Sequence, residues 1–67
     1  MVDELELSAI VSEVFGKNPG AVEDAIEEEV AVHFLVGLVV KETKGVVDPK
    51  MVYRVVRMGL YAEAKNR

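Results

Sequence analysis

Apolar side chains recur at helical spacing in four stretches of the chain, and residues typical of turns separate these stretches. The first repeat consists of Leu7, Ile10, Val11 and Val14. It predicts a helix over Glu4–Phe15, because residues three and four apart share one helical face. Asp3, followed three residues later by Glu6, fits a capping box at the start of this helix.

The second helix is predicted to begin at Pro19, with Asn18 as its N-cap. No Gly or Pro interrupts the sequence between Ala21 and Phe34. One unbroken helix from Pro19 to Lys44 would be about 39 Å long, whereas a domain of this length has a radius of gyration of about 11 Å. We therefore expect a break within Ile26–Glu29.

The third stretch, Val30–Val40, is apolar throughout except for His33. It is too short to span a bilayer, which takes about 20 apolar residues. Its β-branched residues leave a strand open as an alternative, but its length favours a helix. A helix that is apolar all round is expected to be buried. We therefore predict a central helix that runs to about Lys44, with Gly45 at the C′ position.

The fourth helix is predicted over Pro49–Ala64, with Asp48 as its N-cap. Its apolar side is formed by Val52, Val55, Val56, Gly59 and Leu60. The 100° step per residue places four larger side chains on the opposite side, namely Lys50, Arg54, Arg57 and Tyr61. The chain is therefore predicted to be all-α, a small compact bundle of about four short helices around a central apolar helix, and residues 1–67 form a single domain.

The net charge of −4 is unevenly distributed. Residues 1–40 hold nine acids and one base, which sum to −8, and residues 41–67 hold seven bases and three acids, which sum to +4. Such segregation bears on partners and not on the fold. No signal-peptide pattern precedes the acidic start at Asp3, so a cytoplasmic setting without membrane contact is expected.

The residue types needed for catalysis are scarce. There is no cysteine, and His33 is the only histidine. His33 is interpreted as a core or boundary residue that donates to a backbone carbonyl, because Glu29 four residues before it is too little for a metal site. Ser8 and Ser12 have no base near them in sequence. No catalytic residue, metal or cofactor is therefore expected.

Two glycines lie in the interior of predicted helices, beyond the first turn, where glycine costs about 1 kcal/mol relative to alanine. Gly37 is in the apolar stretch, and Gly59 is in the fourth helix. We interpret both as points where a neighbouring helix approaches closely, since glycine has no Cβ.

The candidate functional surface is a basic cluster of Lys41, Lys44, Lys50, Arg54 and Arg57. On charge pattern alone, an ordinary solvated face is the more economical explanation, with Lys41 and Lys44 complementing a helix dipole. Phosphate binding is the functional alternative. Tyr53 and Tyr61 flank the cluster and could pack against a ribose or base, or be half-buried boundary residues.

Several strings resemble a known family. They are Asn18-Pro19, Ala21-Val22-Glu23-Asp24, Phe34-Leu35-Val36-Gly37, Lys41-Glu42-Thr43-Lys44-Gly45 and Asp48-Pro49. They are similar to the GatB/YqeY-like tail domain, which ends the GatB subunit of aspartyl/glutamyl-tRNA amidotransferase and the archaeal counterpart of that subunit. The resemblance covers roughly residues 10–60. The chain departs from the family at Leu38 and Val40, where Gln and Met are usual, and it lacks a Gly in the region of Glu27–Glu29.

The resemblance implies a non-catalytic module. In that family the full enzymes amidate Glu-tRNA(Gln) or Asp-tRNA(Asn) at active sites in other domains, and the tail contacts the outer corner of the tRNA. It therefore implies weak tRNA contact through the basic cluster, with the other domains or subunits of an amidotransferase as partners. The alternative is a small helical protein–protein interaction module, in which the acidic half or an uncovered apolar face docks a partner.

Overall fold

The structure, a computed structural model, describes residues 2–66. Those residues form four helices and no strand, as the sequence predicts. The helices are α1 (Glu4–Lys17), α2 (Pro19–Glu27), α3 (Glu29–Glu42) and α4 (Pro49–Lys65). They pack into a body of 33 × 20 × 20 Å with a radius of gyration of 10.8 Å.

The starts of α1 and α4 are set by local capping. The Asp3 carboxylate accepts a hydrogen bond from the Glu6 amide at 2.8 Å, and the Asp48 carboxylate accepts one from the Lys50 amide at 3.0 Å. Each of these predicted caps satisfies an amide that has no partner within its helix.

Asn18 occupies the predicted N-cap position of α2, and its carbonyl accepts from the Val22 amide at 3.1 Å. Its side chain, however, makes no capping hydrogen bond there. Instead, its Nδ2 donates to the Val14 carbonyl at 2.9 Å, and its backbone amide donates to the Phe15 carbonyl at 3.2 Å. Asn18 therefore closes α1, which continues two residues beyond the predicted end at Phe15.

The break between the second and third helices is confirmed at Glu28. This residue is extended, with φ −129° and ψ 127°, and it separates α2 from α3. Glu27, Glu28 and Glu29 are all exposed, so the break costs no buried backbone polar group.

The core draws on all four helices. It consists of Leu7, Val11, Val14, Phe15, Val22, Ala25, Val32, Leu35, Val39, Val52, Val55, Val56 and Leu60. Helix α3 packs against each of the other three helices. Its buried residues, Val32, Leu35 and Val39, follow helical spacing and define a single inward face.

The expectation that the central helix is buried on all sides is wrong. Val30 is 79% exposed and Phe34 is 55% exposed, and His33 and Gly37 are exposed beside them. A chain of this size has too few helices to surround a central one, because small domains bury only about 60% of their unfolded surface. The outer face of α3 therefore leaves the apolar side chains of Val30 and Phe34 uncovered.

Gly37 and Gly59 have different surroundings. A Cβ on Gly59 would lie 3.0 Å from Phe15 Cε2, so the predicted close approach is confirmed there. A Cβ on Gly37 would meet nothing within 4 Å, so the same interpretation is wrong for Gly37. Gly37 lies on the outer face of α3, where no other described helix of the domain reaches it.

Candidate nucleic-acid interface

Three lysines from distant parts of the sequence line one small cleft. Lys17 lies in the last turn of α1, Lys41 in the last turn of α3, and Lys44 in the loop after α3. The cleft has a volume of about 380 Å³, and Glu42 is the only acid among its lining residues. We call Lys17, Lys41 and Lys44 the lysine cleft. It is a positive site on a chain whose net charge is −4.

The loop that ends α3 holds Lys44 in an unusual conformation. The Gly45 amide donates to the Val40 carbonyl and the Lys44 amide to the Lys41 carbonyl, both at 3.0 Å. This is a Schellman motif. Lys44 occupies the C′ position that was predicted for Gly45, and Gly45 occupies the next position, C″. Lys44 has φ 58° and Gly45 has φ 77°. A left-handed conformation costs a residue with a side chain about 1 kcal/mol, so Lys44 makes this loop less stable than glycine at the same position would.

The two arginines of the predicted cluster are bound to carboxylates. Arg54 Nη2 lies 2.9 Å from Glu4 Oε1, and Arg57 Nη1 lies 2.9 Å from Glu29 Oε1. Both pairs are solvent-exposed, so each contributes at most about 1 kcal/mol. Both arginines point away from the core, as predicted, but their charges are partly neutralised.

The arginines and the lysine cleft lie at opposite ends of α1 and α3. Arg54 and Arg57 reach the first turns of these helices, whereas Lys17 and Lys41 lie in the last turns. Positions 29 and 41 are about 18 Å apart along α3 at 1.5 Å per residue. Lys50 is exposed in the first turn of α4. The five predicted residues therefore do not form one uniform face.

Glu29 and three side chains around it, all from α3 and α4, form a polar cluster. The Tyr53 hydroxyl donates to Glu29 Oε2, and Arg57 binds the other carboxylate oxygen. His33 stacks on the Tyr53 ring with centroids 5.6 Å apart, and its Nε2 lies 3.7 Å from Glu29 Oε2. His33 is exposed because position 33 faces outward on α3. The prediction that it is a core or boundary residue is therefore wrong.

The hydrogen bond to Glu29 raises the pKa of the Tyr53 phenol above its usual value of 10.0, and desolvation and the negative charge of Glu29 act in the same direction. Arg57 opposes this shift. Tyr53 is half-buried and engaged within the domain. Tyr61, by contrast, is 69% exposed, with Lys65 Nζ 5.5 Å from its ring centroid.

Lys17 is the site residue that charge segregation along the sequence does not reveal, because it is the only base in the acidic half of the chain. In a bundle of alternating helices, the first and third helices end on the same side. That rule, applied to the predicted helices, could have placed Lys17 near Lys41. Its ion pair with Glu13, at 3.7 Å, is exposed and within one helix.

Within residues 2–66 there is no group of three or more His, Cys, Asp or Glu side chains arranged to hold a metal ion. None of the four helices has the length and apolarity needed to cross a membrane.

Comparison with known proteins places the chain in a family. The GatB domain matches residues 1–60. The GatB subunit of the aspartyl/glutamyl-tRNA(Asn/Gln) amidotransferase of Methanopyrus kandleri is 43% identical over 56 residues, which cover 82% of this chain and 12% of that protein. The same subunit of Caldanaerobacter subterraneus is 45% identical over 58 residues, which cover 85% of this chain and 12% of that protein.

A third relative, the corresponding subunit of Carboxydothermus hydrogenoformans, is 45% identical over 53 residues, 78% of this chain and 11% of that protein. The chain thus spans about an eighth of the length of these relatives. No solved structure matches it. Because the GatB domain matches nearly the whole length of this chain, the chain belongs to the GatB domain family.

Proposed function

We propose that this domain is a non-catalytic module that contacts tRNA and positions mischarged tRNA for amidation by other parts of a cytoplasmic amidotransferase. The relatives are named as subunits of an aspartyl/glutamyl-tRNA amidotransferase. The observation that carries the proposal is the lysine cleft, which gathers three cations onto one site of an acidic chain. Other domains or subunits of that enzyme are the implied partners.

In this proposal the lysine cleft and Lys50 contact phosphates at the outer corner of the tRNA. Lysine binds phosphate as a point charge and needs no fixed geometry. Arg54 and Arg57 belong to a secondary part of the surface, since each would exchange an exposed carboxylate for a phosphate. Such contacts position a nucleic acid without reading its sequence.

Binding by the domain alone is expected to be weak and strongly salt-dependent. Each phosphate neutralised contributes about −0.9 to the slope of log K against log salt on duplex nucleic acid. Three to five contacts therefore give a slope between about −2.7 and −4.5. Different tRNAs should bind with similar affinity, because no base is read.

The test compares two lysines that carry the same charge at different places. Lys41→Gln removes a cation from the lysine cleft, and Lys65→Gln removes one from the end of α4. Fluorescence anisotropy with labelled tRNA at two salt concentrations should show weaker binding and a slope shallower by about 1 for Lys41→Gln. Lys65→Gln should behave like the parent. Equal effects of the two variants would mean that only net charge matters and that the lysine cleft is not the contact.

The non-catalytic part of the proposal has its own test. The purified chain should show neither glutaminase activity nor ATP-dependent amidation of Glu-tRNA(Gln), because Ser8 and Ser12 lie on the exposed side of α1 and have no base near them in sequence. Activity that disappears in His33→Ala would contradict it.

A further inference from the structure

A second concavity, larger than the lysine cleft and of opposite charge, lies between α1 and α4 and reaches the start of α2. It is an open groove of about 900 Å³. Its floor is apolar and includes Val11, Phe15 and Val55, all nearly buried. Leu5 and Met58 stand beside this floor and are 82% and 61% exposed. We call it the apolar groove.

The charged residues that line the apolar groove are all acidic. Glu4, Glu23 and Glu63 line it, and no Lys, Arg or His is among its described lining residues. Arg54 binds Glu4 from outside this lining. The lysine cleft has the reverse balance, with three bases and one acid. The two concavities therefore attract different classes of ligand.

The apolar groove has the length of a short helix. Along α1 it extends from Glu4 to Gly16, which is about 18 Å at 1.5 Å per residue. The α1 residues that line it include Leu5, Ser8 and Ser12, which recur at helical spacing. Ridges of this kind accept the side chains of another helix packed alongside.

We infer that the apolar groove docks a cationic amphipathic helix of a partner protein, a function separate from the proposed tRNA contact. The helix would seat apolar side chains against Leu5, Met58 and the Phe15 ring, and its lysines or arginines would face the acidic border of the groove, where Glu63 lies. This is helix-in-groove recognition, in which apolar anchors recur at i, i+3, i+4 and i+7. The flexible thioether of Met58 suits such a surface because it adapts to different anchors.

Charge opposes two other occupants, a nucleic acid and a second copy of this chain. A nucleic acid would bring phosphates against an acidic border. A second copy docked through the same groove would add further carboxylates and no base from the described lining, because a two-fold interface uses the same patch of both copies. Like charges across an interface oppose binding. A cationic helix is the occupant that satisfies both the apolar floor and its acidic border.

The experiment titrates the isotope-labelled chain with a synthetic amphipathic peptide of leucine and lysine, about 14 residues long, and follows backbone amide shifts. Two matched peptides serve as controls: one with glutamate in place of lysine, and one with the same composition in scrambled order. Saturable shifts are expected at Leu5, Ser8, Ser12 and Gly59 with the first peptide. The glutamate and scrambled peptides should bind at least about tenfold more weakly.

Matched variants separate the groove from general attraction between opposite charges. Leu5→Ser with Met58→Ser removes two exposed groove side chains and should weaken peptide binding by about tenfold. Val30→Ser with Val46→Ser removes two exposed apolar side chains outside the groove and should leave binding unchanged. Both double variants should keep tRNA binding and fold stability, since all four side chains are exposed.

Three results would overturn the inference. One is binding of the peptide that is equal in the two double variants. Another is a set of shifts centred on Phe34 and not on the groove. The third is concentration-dependent dimerisation of the chain that Leu5→Ser with Met58→Ser abolishes, which would make a second copy the occupant. A loss of tRNA binding on Lys41→Gln tests the proposed function alone, so the two ideas can fail separately.

Discussion

Helices α3 and α4 face each other across the core, yet their sequences relate to burial in opposite ways. Helix α3 is almost wholly apolar but buries one face, and Val30 and Phe34 remain in solvent. Helix α4 mixes apolar and charged residues and buries Val52, Val55, Val56 and Leu60. The apolar sequence of α3 therefore indicates that this helix contributes to the core. How much of the helix surface is covered depends on the number of neighbouring helices.

The largest expected difference between the two faces of α3 is in stability. Leu35 is fully buried, so Leu35→Ala should lower the free energy of unfolding by about 3 kcal/mol. Phe34→Ala, one residue away on the outer face, should cost under about 1 kcal/mol. Urea denaturation of both variants measures this. Similar losses would mean that the outer face is covered in solution.

Gly37 in α3 and Gly59 in α4 extend the comparison of the two helices. Gly37→Ala adds a methyl group to open space and should raise the free energy of unfolding by up to about 1 kcal/mol through helix propensity. Gly59→Ala makes the same gain but pushes against the Phe15 ring, which would lie 3.0 Å from the new Cβ. Overpacking costs about 1–3 kcal/mol, so urea denaturation should find Gly59→Ala less stable than Gly37→Ala by about 1–3 kcal/mol. Equal stability would contradict the close contact at Gly59.

The smallest expected effect concerns the polar cluster where α3 meets α4. In Glu29→Ala, made in a Tyr61→Phe background so that Tyr53 is the only tyrosine, the phenol pKa should fall toward its usual value of 10.0. The raised pKa means that the folded state favours the neutral phenol. The contribution of this hydrogen-bonded phenol to the stability of the fold is therefore present below the tyrosine pKa of the unfolded chain. It is lost as the pH rises through the raised pKa of the folded state.

Tyrosinate absorbance during an alkaline titration measures this shift. Glu29→Ala should also cost under about 1 kcal/mol at neutral pH, because its ion pair with Arg57 is exposed. An unchanged tyrosine titration would show that the Tyr53–Glu29 hydrogen bond does not persist in solution.

Much of the fold follows from local chemistry. The caps at Asp3 and Asp48 and the break at Glu28 each depend on residues close in sequence. The all-α bundle and its family are also readable from sequence patterns. The outward orientation of His33 and the open surroundings of Gly37 depend on how many helices reach α3, which periodicity does not reveal.

The candidate site was predictable only in part. Lys41 and Lys44 are identifiable from their place at the end of the apolar stretch, and both line the lysine cleft. Lys17 joins them through the packing of α1 beside α3, and Arg54 and Arg57 are turned toward glutamates from other helices. Contacts between residues up to 50 positions apart in sequence, such as Glu4 and Arg54, are decided by tertiary packing.

The tRNA affinity of Lys44→Gly tests the role of the lysine cleft most directly. Glycine relieves the left-handed strain at φ 58°, so this variant should be more stable than the parent by about 1 kcal/mol, as urea denaturation would verify. We predict that the more stable protein binds tRNA more weakly, with a salt slope shallower by about 1. A Lys44→Gly variant that binds tRNA as tightly as the parent would contradict the claim that the lysine cleft is the tRNA contact.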